Sequence, residues 1–106
     1  MSKKLKPVHP GEILREEYMM PLGLSMNRLA LDLRVPGTRI SEIVNERRSI
    51  SPETALRLAQ YFNTTPEFWM NLQTQYDLET TEEQTLAAIR RDVRPIKVAA
   101  KRSRLT

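Results

Sequence analysis

Two short amphipathic helices separated by a tight corner are predicted between Ser25 and Asn45, and no other stretch constrains the fold as strongly. At the helical period of 3.6 residues, apolar side chains fall on one face of each helix. These side chains are Met26, Leu29, Ala30 and Leu33 in the first helix, and Ile40, Ile43 and Val44 in the second. Residues 34–36 form the corner, and the small Ala30 permits a close helix crossing. This layout is that of a helix-turn-helix, whose second helix (the reading helix) enters the major groove of DNA.

The face of the reading helix opposite its apolar stripe is polar. Thr38, Glu42 and Asn45 point directly away from the stripe, and Arg39 and Ser41 flank them. Their hydroxyl, carboxylate, amide and guanidinium groups are of the kinds that read base edges or bind phosphates. A solvated surface is the alternative interpretation, because any surface helix is polar opposite its apolar stripe. The preceding helix and the corner favour DNA reading.

Further candidate DNA contacts flank the reading helix. Ser25 is predicted to cap the first helix of the pair, and a phosphate can bind at the same helix N-terminus beside Asn27 and Arg28. Capping alone explains Ser25 equally well. Arg47 and Arg48 follow the reading helix, where they would contact the DNA backbone. Such contacts contribute affinity and salt dependence but no sequence choice.

Helix-start and helix-stop residues predict three more helices around this pair. Pro10 opens the first helix of the chain, and residues 21–23 end it. Residues 51–53 (Ser-Pro-Glu) open the fourth helix, which Asn63 ends, and residues 65–67 (Thr-Pro-Glu) open the fifth. The sequence therefore predicts an all-α, five-helix DNA-binding domain over residues 9–78.

The fifth helix carries the most aromatic stretch of the chain, with Phe68, Trp69, Leu72 and Tyr76 at helical spacing. A stripe of this kind usually belongs to the core. A dimer face is the alternative, because five short helices leave little room to bury Trp69 fully.

Residues 79–106 are predicted to form a helical extension and a basic tail. Thr81 and Gln84 match a capping box, so a separate helix is expected to begin there and to end before Pro95. Residues 96–98 form either a short strand, for instance across a dimer axis, or part of an irregular tail. Residues 90–106 carry seven Lys or Arg and one Asp, whereas residues 1–89 carry ten Lys or Arg and twelve Asp or Glu. The basic tail is therefore a nucleic-acid arm, a dimer or partner contact, or a solvated end.

Composition excludes several classes of protein. The 106 residues include no cysteine, one histidine and three glycines, so they offer no disulfide, thiolate, zinc site or phosphate-binding glycine loop. Nothing in the sequence supports an enzyme or a cofactor. No apolar run reaches the length of a membrane span, and the first residues lack the apolar segment of a signal peptide. A cytoplasmic protein, associated with the nucleoid when it binds DNA, is expected.

Four motifs give the chain a family likeness. They are HPGEIL at residues 9–14, ISPETALRL at 50–58, FWMNLQ at 68–73 and YDL at 76–78. Together they resemble the HigA/VapI-like antitoxins of bacterial addiction modules, which belong to the phage-repressor-like helix-turn-helix family. The resemblance implies a homodimer that binds an inverted repeat in its own promoter and represses the operon. It also implies a toxin partner, a RelE-like or HigB-like ribonuclease that cleaves mRNA and that the antitoxin neutralises.

The resemblance also concerns single positions. It places DNA contacts at Gly37, Thr38, Arg39, Ser41 and Asn45. Where similar proteins often have glycine, this chain has Arg34 and Glu46. A left-handed backbone is expected at both, at a cost of about 1 kcal/mol each.

Two alternative functions stay open at this stage. One is a stand-alone phage-type repressor without a toxin partner. The other is a protein-interaction module that keeps the fold but has lost DNA binding. Glu42 on the reading face and the net negative charge of residues 1–89 favour this last alternative.

Overall fold

The computed structural model describes residues 6–97, which form five helices joined by short connections. Helix α1 is continuous but changes type, since Pro10–Ile13 is α-helical, Leu14–Met19 is π-helical and Met20–Leu22 is α-helical again. The other helices are α2 (Met26–Leu33), α3 (Gly37–Val44), α4 (Pro52–Phe62) and α5 (Pro66–Asp92). No strand occurs within residues 6–97, and the predicted all-α fold is confirmed.

The residues predicted to start and stop the helices have these roles in the structure. The side chains of Ser25, Ser51 and Thr65 each accept a hydrogen bond from a backbone N–H in the first turn of the following helix. Gly23 and Asn63 follow α1 and α4 in the left-handed conformation, with φ of 66° and 60°. Local capping chemistry therefore determines most of the helix boundaries.

His9 provides a cap that the sequence did not reveal. Its Nδ1 accepts a hydrogen bond of 2.9 Å from the backbone N–H of Gly11, so His9 caps α1. The ring is buried and meets the Tyr76 ring edge-on, with 4.8 Å between the centroids. Burial lowers the pKa of His9, against the opposing effect of the Glu46 and Asp77 carboxylates. An unprotonated Nδ1 is what this cap requires.

Apolar faces from all five helices enclose one core. The predicted stripes of α2, α3 and α4 supply most of it, and Trp69 of α5 is fully buried among Tyr18, Phe62 and Phe68. The indole Nε1 donates a hydrogen bond of 2.9 Å to Thr64 Oγ1, which satisfies its only polar atom. The core assignment of Trp69 is confirmed, and five helices suffice to bury it fully. Phe68, Leu72 and Tyr76 are only partly buried.

The prediction that Met26 belongs to the buried stripe of α2 is wrong. Its side chain is 41% exposed, whereas Leu29, Ala30 and Leu33 are buried. Met26 is the first residue of α2, so it precedes the part of the helix that faces the core.

Helix α5 is longer than predicted and continues through the expected second start at Thr81. It spans 27 residues, or about 40 Å. The Thr80 hydroxyl donates to the Tyr76 carbonyl oxygen at 2.9 Å and the Thr85 hydroxyl to that of Thr81 at 2.8 Å. The threonines thus bond back to the preceding turn instead of capping a new helix, and the separate helix is wrong.

The end of α5 is the limit of regular structure in the described part of the chain. The helix stops at Asp92, before Pro95 as expected. Ile96 and Lys97 form no strand, and residues 98–106, with most of the predicted basic tail, lie outside the described residues. Within residues 6–97, no helix combines the length and apolarity that a membrane crossing requires.

Candidate nucleic-acid interface

Helix α3 is held by its apolar face. Ile40 and Ile43 are fully buried and Val44 nearly so, as predicted. The N-terminal turn of α1 packs against the C-terminal end of α3 at Gly11. A Cβ built at Gly11 would overlap the Ile43 carbonyl oxygen and lie 2.8 Å from the carbonyl carbon. The glycine of the HPGEIL motif therefore permits direct contact between α1 and the backbone of the reading helix.

Arg15 secures the C-terminal end of the same helix. Its Nη1 donates a hydrogen bond of 2.7 Å to the Val44 carbonyl oxygen, and its Nη2 lies 3.6 Å from Glu46 Oε2. A cation at the C-terminus of a helix also interacts favourably with the helix dipole. The sequence analysis did not identify Arg15, because the two partners are separated by 29 residues. No pattern in the sequence links these two positions, so the contact required the structure.

The turns on both sides of α3 have the backbone conformation predicted for them. Arg34 and Glu46 adopt left-handed conformations with φ of 63° and 64°. Arg57 of α4 donates from Nη1 to the Leu33 carbonyl oxygen at 2.9 Å, and so ties the end of α2 to α4. This hydrogen bond lies next to Arg34, and the Arg15 pair reaches Glu46, so contacts accompany both non-glycine residues in a conformation that glycine adopts more easily.

The predicted reading face of α3 is open at its two ends. Thr38 and Asn45 are exposed, and Gly37 begins the helix with nothing within 4 Å of a Cβ placed there. Asn45 lies 3.5 Å from the Ser41 hydroxyl, which is a long hydrogen bond. The amide and the hydroxyls are therefore available to a ligand at little cost.

The charged residues of the face take part in ion pairs within the chain. Glu42 Oε1 lies 2.7 Å from Arg48 Nε, and Arg39 Nη1 lies 3.6 Å from Glu53 Oε1 on α4. Arg39 thus leans toward α4, and only 26% of its side chain is exposed. Exposed pairs of this kind contribute about 0–1 kcal/mol, so DNA phosphates or bases can replace them.

Glu53 links the reading helix to α4. It accepts a hydrogen bond of 2.9 Å from Arg57 Nη2 and pairs with Arg39. The hydrogen bond from Arg57 is the main reason that the pKa of Glu53 is lowered, and the charge and hydrogen bond of Arg39 add to the effect. The carboxylate was expected only in the first turn of α4, and its contact with Arg39 was not foreseen.

The candidate phosphate contacts on α2 are exposed but partly engaged. Ser25 Oγ accepts the N–H of Arg28 at 3.0 Å, and Asn27 is exposed. Arg28 Nε pairs with Asp32 Oδ2 at 2.9 Å along its own helix, and the Tyr61 hydroxyl donates to the same oxygen at 2.6 Å. The pKa of Asp32 is lowered, first by the Tyr61 hydrogen bond and then by that of Arg28. Ser25 thus caps α2, and Arg28 is paired with Asp32 in the free protein.

The predicted DNA-contacting residues all lie on the helix-turn-helix motif, where they form two groups. Gly37, Thr38, Arg39, Ser41, Glu42 and Asn45 belong to α3 or its last turn, with exposed Arg47 and Arg48 directly after them. Ser25, Asn27 and Arg28 belong to the N-terminus of α2, which packs against α3. Within residues 6–97, no group of three His, Asp or Glu side chains is placed to hold a metal ion.

Comparison with known proteins places this motif in a family. The helix-turn-helix family model matches residues 14–69. Virulence-associated protein I of Dichelobacter nodosus is 51% identical over 82 residues, which cover 77% of this chain and 76% of that protein.

Solved structures agree in fold as well as in sequence. Antitoxin HigA of Pseudomonas aeruginosa, solved with the higBA promoter, superposes with a TM-score of 0.85 at 41% identity, over 87% of this chain and 100% of that one. An addiction module antidote protein of the HigA family from Coxiella burnetii gives 0.83 at 46% identity, over 87% and 100%. The chain belongs to the helix-turn-helix family and, within it, to the HigA-like proteins.

Proposed function

We propose that this protein is a cytoplasmic antitoxin that neutralises a RelE/HigB-like mRNA-cleaving ribonuclease and, as a homodimer, represses its own operon. The observation that supports the DNA-binding half is the two-faced α3, whose apolar side is buried while Thr38 and Asn45 remain exposed. The Pseudomonas aeruginosa antitoxin with the same fold was solved with promoter DNA. Similarity to two HigA-type proteins supports the antitoxin half.

Base reading is assigned to the reading helix, and backbone binding mainly to the residues that flank it. Thr38, Arg39, Ser41, Glu42 and Asn45 are proposed to contact base edges or the adjacent phosphates from the major groove. Gly37 lets the N-terminus of α3 approach the DNA backbone, since no side chain stands there. Ser25, Asn27, Arg28, Arg47 and Arg48 are proposed to bind phosphates, because they flank the reading helix and end in hydrogen-bond donors.

A salt-controlled gel-shift with the protein's own upstream DNA tests the assignment. Arg39→Ala should weaken operator binding by about 1–3 kcal/mol if its guanidinium reads a guanine. Arg47→Ala with Arg48→Ala should weaken operator and random DNA alike, and flatten the salt dependence by about one unit for each lost phosphate contact. Unchanged operator affinity of the Arg39 variant contradicts its role in reading. A loss confined to specific DNA contradicts the phosphate role of the other two.

The homodimer is proposed from the surface of α5. Leu78, Ile89 and Val93 are 57%, 48% and 63% exposed, and the last two are four residues apart at the C-terminal end of α5. Exposed apolar side chains at this end are suited to pairing with a second copy, which would present two reading helices to an inverted repeat. Light scattering on the free protein should give twice the chain mass, and Ile89→Glu should give the single-chain mass. A monomeric wild-type protein refutes this proposal.

The antitoxin half is tested by co-expression with the adjacent gene. Co-purification of a small ribonuclease, together with loss of its mRNA cleavage, is the expected result. DNA binding without any partner would favour the stand-alone repressor. A partner without DNA binding would mean that the motif serves only as a scaffold.

A further inference from the structure

A groove between the segment before α1 and the middle of α5 lies outside the described DNA-binding motif. Its volume is about 600 Å³. Val8, Ile13 and Leu72 supply its apolar surface, while Glu79, Glu82 and Glu83 stand along the α5 side. Val8 is 43% exposed, and Ile13 and Leu72 are only partly buried. We call these six residues the acidic groove.

The three glutamates of the acidic groove lack basic partners on their own helix. No Lys or Arg lies three or four positions from Glu79, Glu82 or Glu83 in the sequence. Within residues 6–97, none of the three forms an ion pair, although Glu79 accepts a hydrogen bond of 3.0 Å from Gln75 Nε2. Carboxylates spaced three or four residues apart on a helix repel each other and destabilise it. Repulsion among the three carboxylates therefore destabilises α5 in the free chain, and a bound cationic ligand would relieve it.

The apolar side chains and the carboxylates of the acidic groove together indicate the chemistry of its ligand. A matching segment carries an apolar side chain flanked by Lys or Arg. Lys6 also lines the groove, so within residues 6–97 the lining retains a net negative charge from three glutamates and one lysine. A ribonuclease must bind a polyanion and therefore displays basic residues at its RNA-binding surface. Carboxylates can occupy the positions of RNA phosphates on such a surface.

We propose that the acidic groove is the docking site for a basic segment of the ribonuclease partner. The inference rests on the antitoxin half of the proposed function and assigns a surface to it. The groove consists of the pre-α1 segment, α1 and α5, whereas the reading face consists of α3 and its flanking turns. Mutations in the groove should therefore leave DNA binding unaffected.

A neutralising double variant tests the assignment in the full chain. Glu79→Gln with Glu83→Gln removes two charges and retains the hydrogen-bonding capacity of both side chains. Affinity for the purified product of the adjacent gene should fall about 5–30-fold at low salt, and the salt dependence of that affinity should become shallower. Glu79→Lys with Glu83→Lys should weaken the complex further. Operator binding, which reports a folded reading helix, should stay unchanged.

A matched control separates a local contact from overall charge. Glu17→Gln with Glu67→Gln removes two exposed carboxylates of α1 and α5 that do not line the groove. This control should retain wild-type affinity for the ribonuclease. An equal loss in both double variants overturns the docking site and indicates a general charge effect.

The remaining outcomes distinguish the docking site from the proposed function. If the wild-type protein forms no complex with the ribonuclease, the antitoxin half fails and the docking site fails with it. If the wild-type protein forms a complex and the groove variants bind equally well, only the docking site is overturned. If the groove variants lose self-association without the ribonuclease, the groove holds a second copy of this chain and the assignment is also overturned.

Discussion

Replacement of Gly11 by alanine should destabilise the protein although alanine is the better helix former. An added Cβ would overlap the Ile43 carbonyl oxygen and lie 2.8 Å from the carbonyl carbon, and both atoms belong to the backbone of α3. It would also lie 3.1 Å from the His9 Nδ1 that caps α1. Backbone atoms cannot rotate away, so α1 must shift from α3. Overpacking of this kind costs about 1–3 kcal/mol.

Gly37 offers a matched control in the same protein. A Cβ at this position meets nothing within 4 Å, and the helical backbone there suits alanine. Gly37→Ala should therefore leave the free energy of unfolding unchanged or raise it by up to about 1 kcal/mol.

Urea denaturation followed by tryptophan fluorescence measures both changes. Trp69 is the only tryptophan of the chain and is fully buried, so its emission should report the loss of the core. Gly11→Ala should lower the midpoint without changing the slope, and Gly37→Ala should not lower it. A Gly11→Ala protein as stable as the Gly37→Ala protein would refute the claim that α1 contacts the α3 backbone at this residue.

Three further predictions concern buried polar contacts and the Arg39 pair. Gln73→Leu should lower the free energy of unfolding by about 1–3 kcal/mol, because Gln73 Oε1 accepts the buried Ile50 N–H at 2.8 Å; an unchanged urea midpoint would contradict this. Wild-type stability should fall as the pH is lowered through 6.5 and below, because the unfolded chain binds the His9 proton more tightly than the buried ring, whose pKa is lowered, does. His9→Asn keeps a capping acceptor and should abolish that slope in thermal melts; a persistent slope would exclude His9 as its source. Glu53→Gln should raise operator affinity up to about fivefold in gel-shifts by releasing Arg39, whereas a loss would show that Glu53 orients Arg39 for DNA.

Local sequence signals predicted the helices well. Serine, threonine, proline and asparagine at helix ends act on backbone groups a few residues away, so Ser25, Ser51 and Asn63 were identified without a structure. The same local rules failed at Thr81. A capping-box pattern also fits a helix interior, where the Thr80 and Thr85 hydroxyls donate to carbonyl oxygens of the preceding turn and the helix continues. The exposed Met26 shows that a periodic pattern does not reveal where the core begins.

The sequence predicted which residues belong to the candidate site, but it did not predict the contacts that hold them in place. Apolar periodicity identified α3 and therefore the residues opposite its buried face. The contacts that hold α3 are long-range, such as Arg15 with Val44 and Gly11 with Ile43. No pattern in a single sequence links residues that far apart. The pairing of Arg39 with Glu53 depends on the same tertiary arrangement.

The preference for one DNA sequence tests the central claim most directly. The measurement is the ratio of affinities for the protein's own upstream region and for a shuffled sequence of equal composition, at one salt concentration. Wild-type protein should prefer its own region by about a thousandfold or more. Thr38→Ala with Asn45→Ala, which alters only exposed side chains of the reading face, should lose most of that preference while keeping its affinity for shuffled DNA. Equal binding of both sequences by the wild-type protein, or an unchanged preference in the double variant, would contradict DNA reading by α3.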